Sequence, residues 1–81
     1  MTTLNKLTPG MTAVVTKVNG KDRLLRRHIL EMGVTPGTEI TLVKTAPLGD
    51  PLEITIRGYE LSLRKAEAAC VEMLFEARRA K

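Results

Sequence analysis

The chain has 81 residues, 43% of them apolar, with one Tyr, one Phe and no Trp, so it makes one small domain with an aliphatic core that buries only about 60% of its unfolded surface. Lys and Arg outnumber Asp and Glu by 13 to 9, a formal charge of +4, which favours an acidic protein surface, nucleic acid or an anionic membrane face without choosing among them. The single Cys70 excludes an internal disulfide and a cysteine-based zinc site within one chain.

Leu4 to Gly10 (LNKLTPG) ends in a Pro-Gly turn that delivers the chain into the first long strand, with Leu4 and Leu7 capping the core. In Met11 to Val18 (MTAVVTKV) the apolar positions Met11, Ala13 and Val15 alternate, then slip to Val18, and that extra residue predicts a β-bulge. Asn19-Gly20 closes the strand. Asp22 is the expected N-cap of a helix that Gly33 ends, with Val34 folding back onto its last turn.

Thr35-Pro36-Gly37 turns into a second strand, Thr38 to Thr45, with Ile40 and Leu42 on one face. A third, Leu52 to Arg57, alternates Leu52, Ile54 and Ile56 with Glu53, Thr55 and Arg57 and reads as a half-buried antiparallel strand. The loop between them, Ala46 to Pro51, holds two prolines and a glycine and cannot continue either strand. Gly58 turns into a fourth strand, Tyr59 to Leu63, with Leu61 and Leu63 inward. Arg64 to Ala69 favours one helical turn, and Cys70 to Leu74 supplies a fifth strand with Val71 and Met73 inward and Cys70 facing away. Residues 75–81 form a charged tail.

These elements predict a mainly β fold: a small, closed or nearly closed SH3-like barrel of about five antiparallel strands. One helix is inserted after the first strand and a short helical turn precedes the last. The whole chain reads as a single domain with its core at about 4–74.

No catalytic constellation is present. There is one histidine, no G-x-S-x-G and no G-x-x-x-x-G-K-[ST] loop, so an enzyme is not expected. His28 and Glu31, three residues apart, and Cys70 are weak metal-ligand candidates. Two ligands without a third seldom hold a metal and a lone cysteine with no flanking base is more often inert, so no tightly bound cofactor is expected.

At about 100° per residue, Leu25, Ile29 and Met32 form the helix's core stripe, with Leu24 at its margin. Leu30 falls on the opposite side among Arg23, Arg26 and Arg27. Either this is a docking surface for an apolar and acidic partner, or the helix lies in a groove and buries Leu30 on a second side. Leu48, at the tip of the 46–51 loop, is a second docking candidate or else a plug over the barrel mouth. The basic set Lys21, Arg23, Arg26, Arg27, Arg78 and Arg79 suits nucleic acid, but the stacking aromatics of single-strand binders are missing and no specific nucleic-acid partner is expected.

Four motifs taken together are specific: L-x-P-G at Leu7 to Gly10, R-R-x-[IL]-L-[ED]-M-G-[VL]-x-P-G at Arg26 to Gly37, A-P-L-G-D-P at Ala46 to Pro51, and R-G-Y-x-L-x-L-R-K-x-E-A at Arg57 to Ala68. From Leu7 to about Leu74 the chain resembles the FeoA family, small cytosolic proteins of bacterial ferrous-iron uptake. The resemblance implies an SH3-like barrel and an accessory role to the membrane transporter FeoB, whose cytosolic part is a GTP-binding domain. It also carries a loose association with transition-metal binding, for which no ligand cluster appears here. Among the matched motifs, the partner-binding candidates are Arg26, Arg27 and Leu30 on the helix and Leu48 and Asp50 on the loop.

Two alternatives stand beside that reading: an SH3-like regulatory domain related to the C-terminal domain of iron-dependent repressors, and a basic RNA-binding module. No apolar run approaches the roughly 18–20 residues that cross a bilayer, and Met1 to Asn5 lacks the pattern of a secretion signal. A cytoplasmic location without membrane insertion, recruited to the inner face of the membrane, is therefore expected.

Overall fold

Leu52, Ile54 and Ile56, separated by polar neighbours, define a strand with one buried face. The computed structural model, which describes residues 2–20 and 22–75, builds the sheet around it. In chain order the elements are β1 (Thr2–Thr3), a 3-10 turn (Leu4–Lys6), β2 (Thr12–Val18), α1 (Arg23–Glu31), β3 (Glu39–Thr45), β4 (Leu52–Ile56), β5 (Tyr59–Leu63), α2 (Lys65–Ala68) and β6 (Val71–Phe75). All strand pairs are antiparallel, in one sheet ordered β1-β6-β2-β3-β4-β5.

The expected mainly β architecture is therefore present, with a sixth strand added. Thr2 and Thr3 pair with Met73 and Glu72, a contact set by long-range backbone bonds that two threonines do not advertise. β1 and β5 end the sheet and do not pair with each other, so the barrel is open along that seam. The core is aliphatic, as the composition requires. Leu4, Val15, Ile29, Val34, Ile40, Leu42, Leu52, Ile54, Ile56, Leu63, Val71 and Met73 are its largest fully buried side chains, and Leu7 closes one side beside them.

The slip in the Met11 to Val18 pattern is a bulge: β2 pairs Val15 with Met73 and Lys17 with Glu72, and the register shifts between them. That shift lets Val15 and Val18 both point inward while Lys17 stays in solvent. A second shift, between Leu42 and Lys44 on β3, has no counterpart in the sequence pattern; it turns Val43 out of the core. At the end of the sequence, Phe75 pairs with Ala13 and extends β6, so the strand runs one residue into the expected tail. The rest of that tail, with Arg78 and Arg79, and also Lys21, lie outside the described residues.

Both ends of α1 follow from local chemistry. Asp22 accepts hydrogen bonds from the backbone N–H groups of Leu24 (2.9 Å) and Leu25 (3.3 Å), two donors that have no partner inside the helix. Replacing it by Ala is expected to cost about 0.5–2 kcal/mol, read as a lower midpoint in urea with an unchanged slope. At the other end the N–H of Gly33 donates to the carbonyl of Leu30 and that of Val34 to the carbonyl of Ile29. With Gly33 at φ +97° and Val34 and Ile29 both buried, this is a Schellman termination with its apolar contact.

Candidate functional site

α1 carries one face into the core and presents the other to solvent. Ile29 is fully buried, with Leu25 and Met32 packed beside it, as the wheel predicts. Of the two readings of Leu30, the structure agrees with the one in which the helix buries it on a second side, and Leu24, expected at the margin of the core stripe, is the exposed one. Leu30 is half-buried and packs against the core, whereas Leu24 is 75% exposed. The wheel alone does not order them: measured from the stripe of Leu25, Ile29 and Met32, Leu30 lies farther round the helix than Leu24, so the partial burial of Leu30 comes from the way the helix packs on the core and not from its angle.

Leu24 and Leu30 together line a shallow groove with Arg23, Arg26 and Arg27. Arg27 Nε reaches Glu31 Oε2 at 3.2 Å, an exposed i,i+4 pair that holds one charge lightly. Arg23 and Arg26 make no ion pair with the described residues. The groove is therefore an apolar strip flanked by guanidinium groups available to a partner, and Arg23 and Leu24 belong to it beside the expected Arg26, Arg27 and Leu30.

Leu48 is 92% exposed on the loop between β3 and β4, so it does not fold back over the barrel mouth. Asp50 in the same loop accepts a 2.9 Å hydrogen bond from the backbone N–H of Lys65, the first residue of α2. Neither residue lines the α1 groove. What links the two patches is α2, through a residue that the sequence pattern does not single out. Glu67 is a carboxylate only 15% exposed. Its Oε1 accepts from the N–H of Arg64 at 2.8 Å, and its Oε2 lies 3.7 Å from His28 Nε2 on α1. The R-K-x-E-A spacing shows the helical turn and the reach of Glu67 back to its start, but not the helix across the fold that it meets.

The weak ligand candidates are not brought together. Glu31 turns to Arg27, His28 to Glu67, and Cys70 donates its thiol to the carbonyl of Ala66 at 3.5 Å. Cys70 precedes β6 and, contrary to expectation, packs half-buried against the core, close to Gly20. Among the described residues no group of three His, Cys, Asp or Glu side chains could hold a metal ion. His28 and Glu67 supply two donors, short of the three or four that zinc takes from protein.

A further polar cluster stiffens the chain where it leaves α1. Arg57 Nη2 donates to the hydroxyls of Thr38 (3.0 Å) and Thr35 (3.4 Å), which are themselves 3.0 Å apart. This explains the burial of Thr38, the one buried polar residue among those described, which precedes β3. Arg57 sits in the turn after β4 at φ +51°, so the strand ends one residue earlier than its alternation suggests.

Among the described residues no helix is long and apolar enough to cross a membrane. The FeoA domain family matches residues 2–73. Over 70 residues the chain is 43% identical to a fusion of Fe(2+) transport protein A with the Fe(2+) transporter FeoB from Porphyromonas gingivalis, a match that covers 86% of this chain but only 8% of that protein. The solution structure of a FeoA-like protein from Clostridium acetobutylicum is similar at 39% identity and a TM-score of 0.81, covering 93% of this chain and 88% of that one. FeoA of Stenotrophomonas maltophilia, described as a prokaryotic SH3 domain protein and solved with zinc, is similar at 28% identity and a TM-score of 0.79, covering 96% and 93%. The family match takes in the α1 groove, the 46–51 loop and the sheet from β1 into β6, so this chain belongs to the FeoA domain family.

Proposed function

We propose that this domain is a non-enzymatic docking module of ferrous-iron transport, which binds the cytoplasmic region of an FeoB-type transporter and modulates Fe2+ uptake at the inner face of the membrane. The observation that carries the reading is the fused relative, in which a homologous domain shares one chain with FeoB. Two modules that share a chain meet at effective concentrations on the order of millimolar, so an interaction useful there becomes a separate-chain interaction once the link is absent. The exposed surfaces suit such a contact: the Leu24 and Leu30 strip flanked by Arg23, Arg26 and Arg27 on α1, and Leu48 on its proline-bounded loop. Exposed apolar residues ringed by arginine are the kind that carry interface energy.

The test is titration of the purified cytoplasmic region of an FeoB-type transporter against this domain. Leu24→Asp is the clean probe, because Leu24 is exposed. Leu30→Asp is not, because Leu30 supports the core. Leu24→Asp and Leu48→Asp are each expected to weaken binding by about tenfold or more with the unfolding midpoint unchanged. Binding that survives both substitutions removes these surfaces from the contact, and no binding by the unaltered domain removes the reading itself.

A further inference from the structure

We infer that β5 is a self-pairing edge, and that two copies of this chain associate through an antiparallel β5–β5 ladder centred on Leu61. β5 ends the sheet on one side, and its neighbour β4 is joined to it by the turn Arg57-Gly58, with Ile56 opposite Tyr59. Both turn residues have positive φ, +51° and +86°, as in the two-residue type I′ hairpin, whose closing pair exchanges both backbone bonds.

Alternation along β5 then sets which groups are used. Tyr59, Leu61 and Leu63 bond to β4, while the N–H and C=O groups of Glu60 and Ser62 point away from it and have no partner among the described residues.

These groups restrict what can pair with them. In an antiparallel ladder centred on Leu61, Glu60 of each copy lies opposite Ser62 of the other, and each such pair exchanges both bonds. Leu61 faces its own copy, while Leu63 is fully buried, so the ladder is confined to Glu60, Leu61 and Ser62. Centring on Glu60 sets two carboxylates opposite each other, which opposes pairing. Centring on Ser62 runs the ladder into Arg64, where the chain leaves the strand for α2. The Leu61 register alone keeps like charges apart, uses every outward group and extends the apolar side with Leu61, which is half-buried.

The opposite edge, β1, has two residues and offers no comparable ladder. A foreign strand meets the same backbone groups without the symmetry that matches these side chains, so the second copy is the occupant. One short strand per copy buries less than the roughly 1,200 Å2 of a stable complex, so the dimer forms only at high concentration.

Sedimentation of the full chain from about 10 μM to 1 mM, the range in which so small an interface associates, tests this. The mass is expected to rise towards twice the 8.9 kDa of the chain. Hydrogen exchange at the Glu60 and Ser62 amides should slow with it, while the Leu61 amide, bonded to β4, is slow throughout.

Ser62→Pro removes an outward donor without touching the β4 ladder and should keep the chain monomeric. Ser62→Glu, which retains every backbone bond, sets carboxylates opposite Glu60 and should weaken association at least tenfold. Ser62→Lys should strengthen it severalfold, and less so at high salt. A monomer at every concentration overturns the inference. So does a dimer indifferent to Ser62→Glu, or one whose Glu60 and Ser62 amides exchange as in the monomer, the outcome if another surface mediates it. Binding of the transporter region is scored separately, since β5 and the α1 groove share no residue.

Discussion

Ile54→Ala is expected to destabilise the domain by about 2–5 kcal/mol, the range for deleting a buried isoleucine side chain to the β-carbon. Ile54 has no exposed surface and sits at the middle of β4, with Leu42 on β3 and Leu61 on β5 opposite it. Strands on both sides hold the backbone in place, so the walls cannot collapse into the cavity and the cost should fall in the upper half of the range. A small domain has a total stability of about 5–15 kcal/mol, so the loss is a large fraction of it. Two controls separate packing from general damage to the strand. Ile54→Val should cost about 0.5–1.5 kcal/mol, and Thr55→Ala, on the outer face of the same strand, should stay within about 1 kcal/mol. Urea unfolding of the three variants decides the matter. A loss below about 1 kcal/mol for Ile54→Ala would mean that β4 is not the centre of the core.

That residue's role was legible in the sequence because strand periodicity is a one-dimensional signal. Leu52, Ile54 and Ile56 alternate with polar residues, and no tertiary knowledge is needed to put them on one face. The same holds for the bulge, written as the slip from Val15 to Val18, and for the ends of α1, where Asp22 and Gly33 act on their own neighbours. What escaped depends on how elements sit relative to one another. β1 exists because β6 passes beside Thr2 and Thr3, and nothing in two threonines announces that.

The partition of Leu24 and Leu30 does not follow from the angles round the helix, which place Leu30 farther than Leu24 from the stripe of Leu25, Ile29 and Met32. The angles were available in the sequence, but the exposure of the groove was not. Glu67 is the clearest case. Its local duty at Arg64 follows from spacing, while its approach to His28 requires the α1–α2 contact. For the candidate site the sequence singled out the helix and the loop but left open whether Leu30 is exposed, and the fold makes Leu24 and Leu48 the exposed leucines.

Gly33→Ala should cost about 1–3 kcal/mol, from two sources that can be measured apart. One is conformational: at φ +97° the backbone lies in the left-handed region, where a β-carbon costs roughly 1–2 kcal/mol. The other is steric and local. A Cβ at position 33 would stand 3.0 Å from the Tyr59 hydroxyl, which donates a 2.8 Å hydrogen bond to the carbonyl of Met32 at the end of α1. Tyr59 must then move, and a bond worth about 0.5–1.5 kcal/mol is stretched or lost just where the helix presents its last carbonyls.

Gly37→Ala isolates the first source, because Gly37 has a similar φ of +91° and a Cβ at position 37 would meet nothing within 4 Å. The cost of Gly33→Ala should exceed that of Gly37→Ala by the Tyr59 contribution, and the excess should shrink in a Tyr59→Phe background, where the hydroxyl is absent. A double-mutant cycle between positions 33 and 59 reads this coupling directly. If the cycle closes with no coupling, Tyr59 does not secure the end of α1, and the exit of the helix towards β3 rests on the Schellman bonds and the buried Val34 alone.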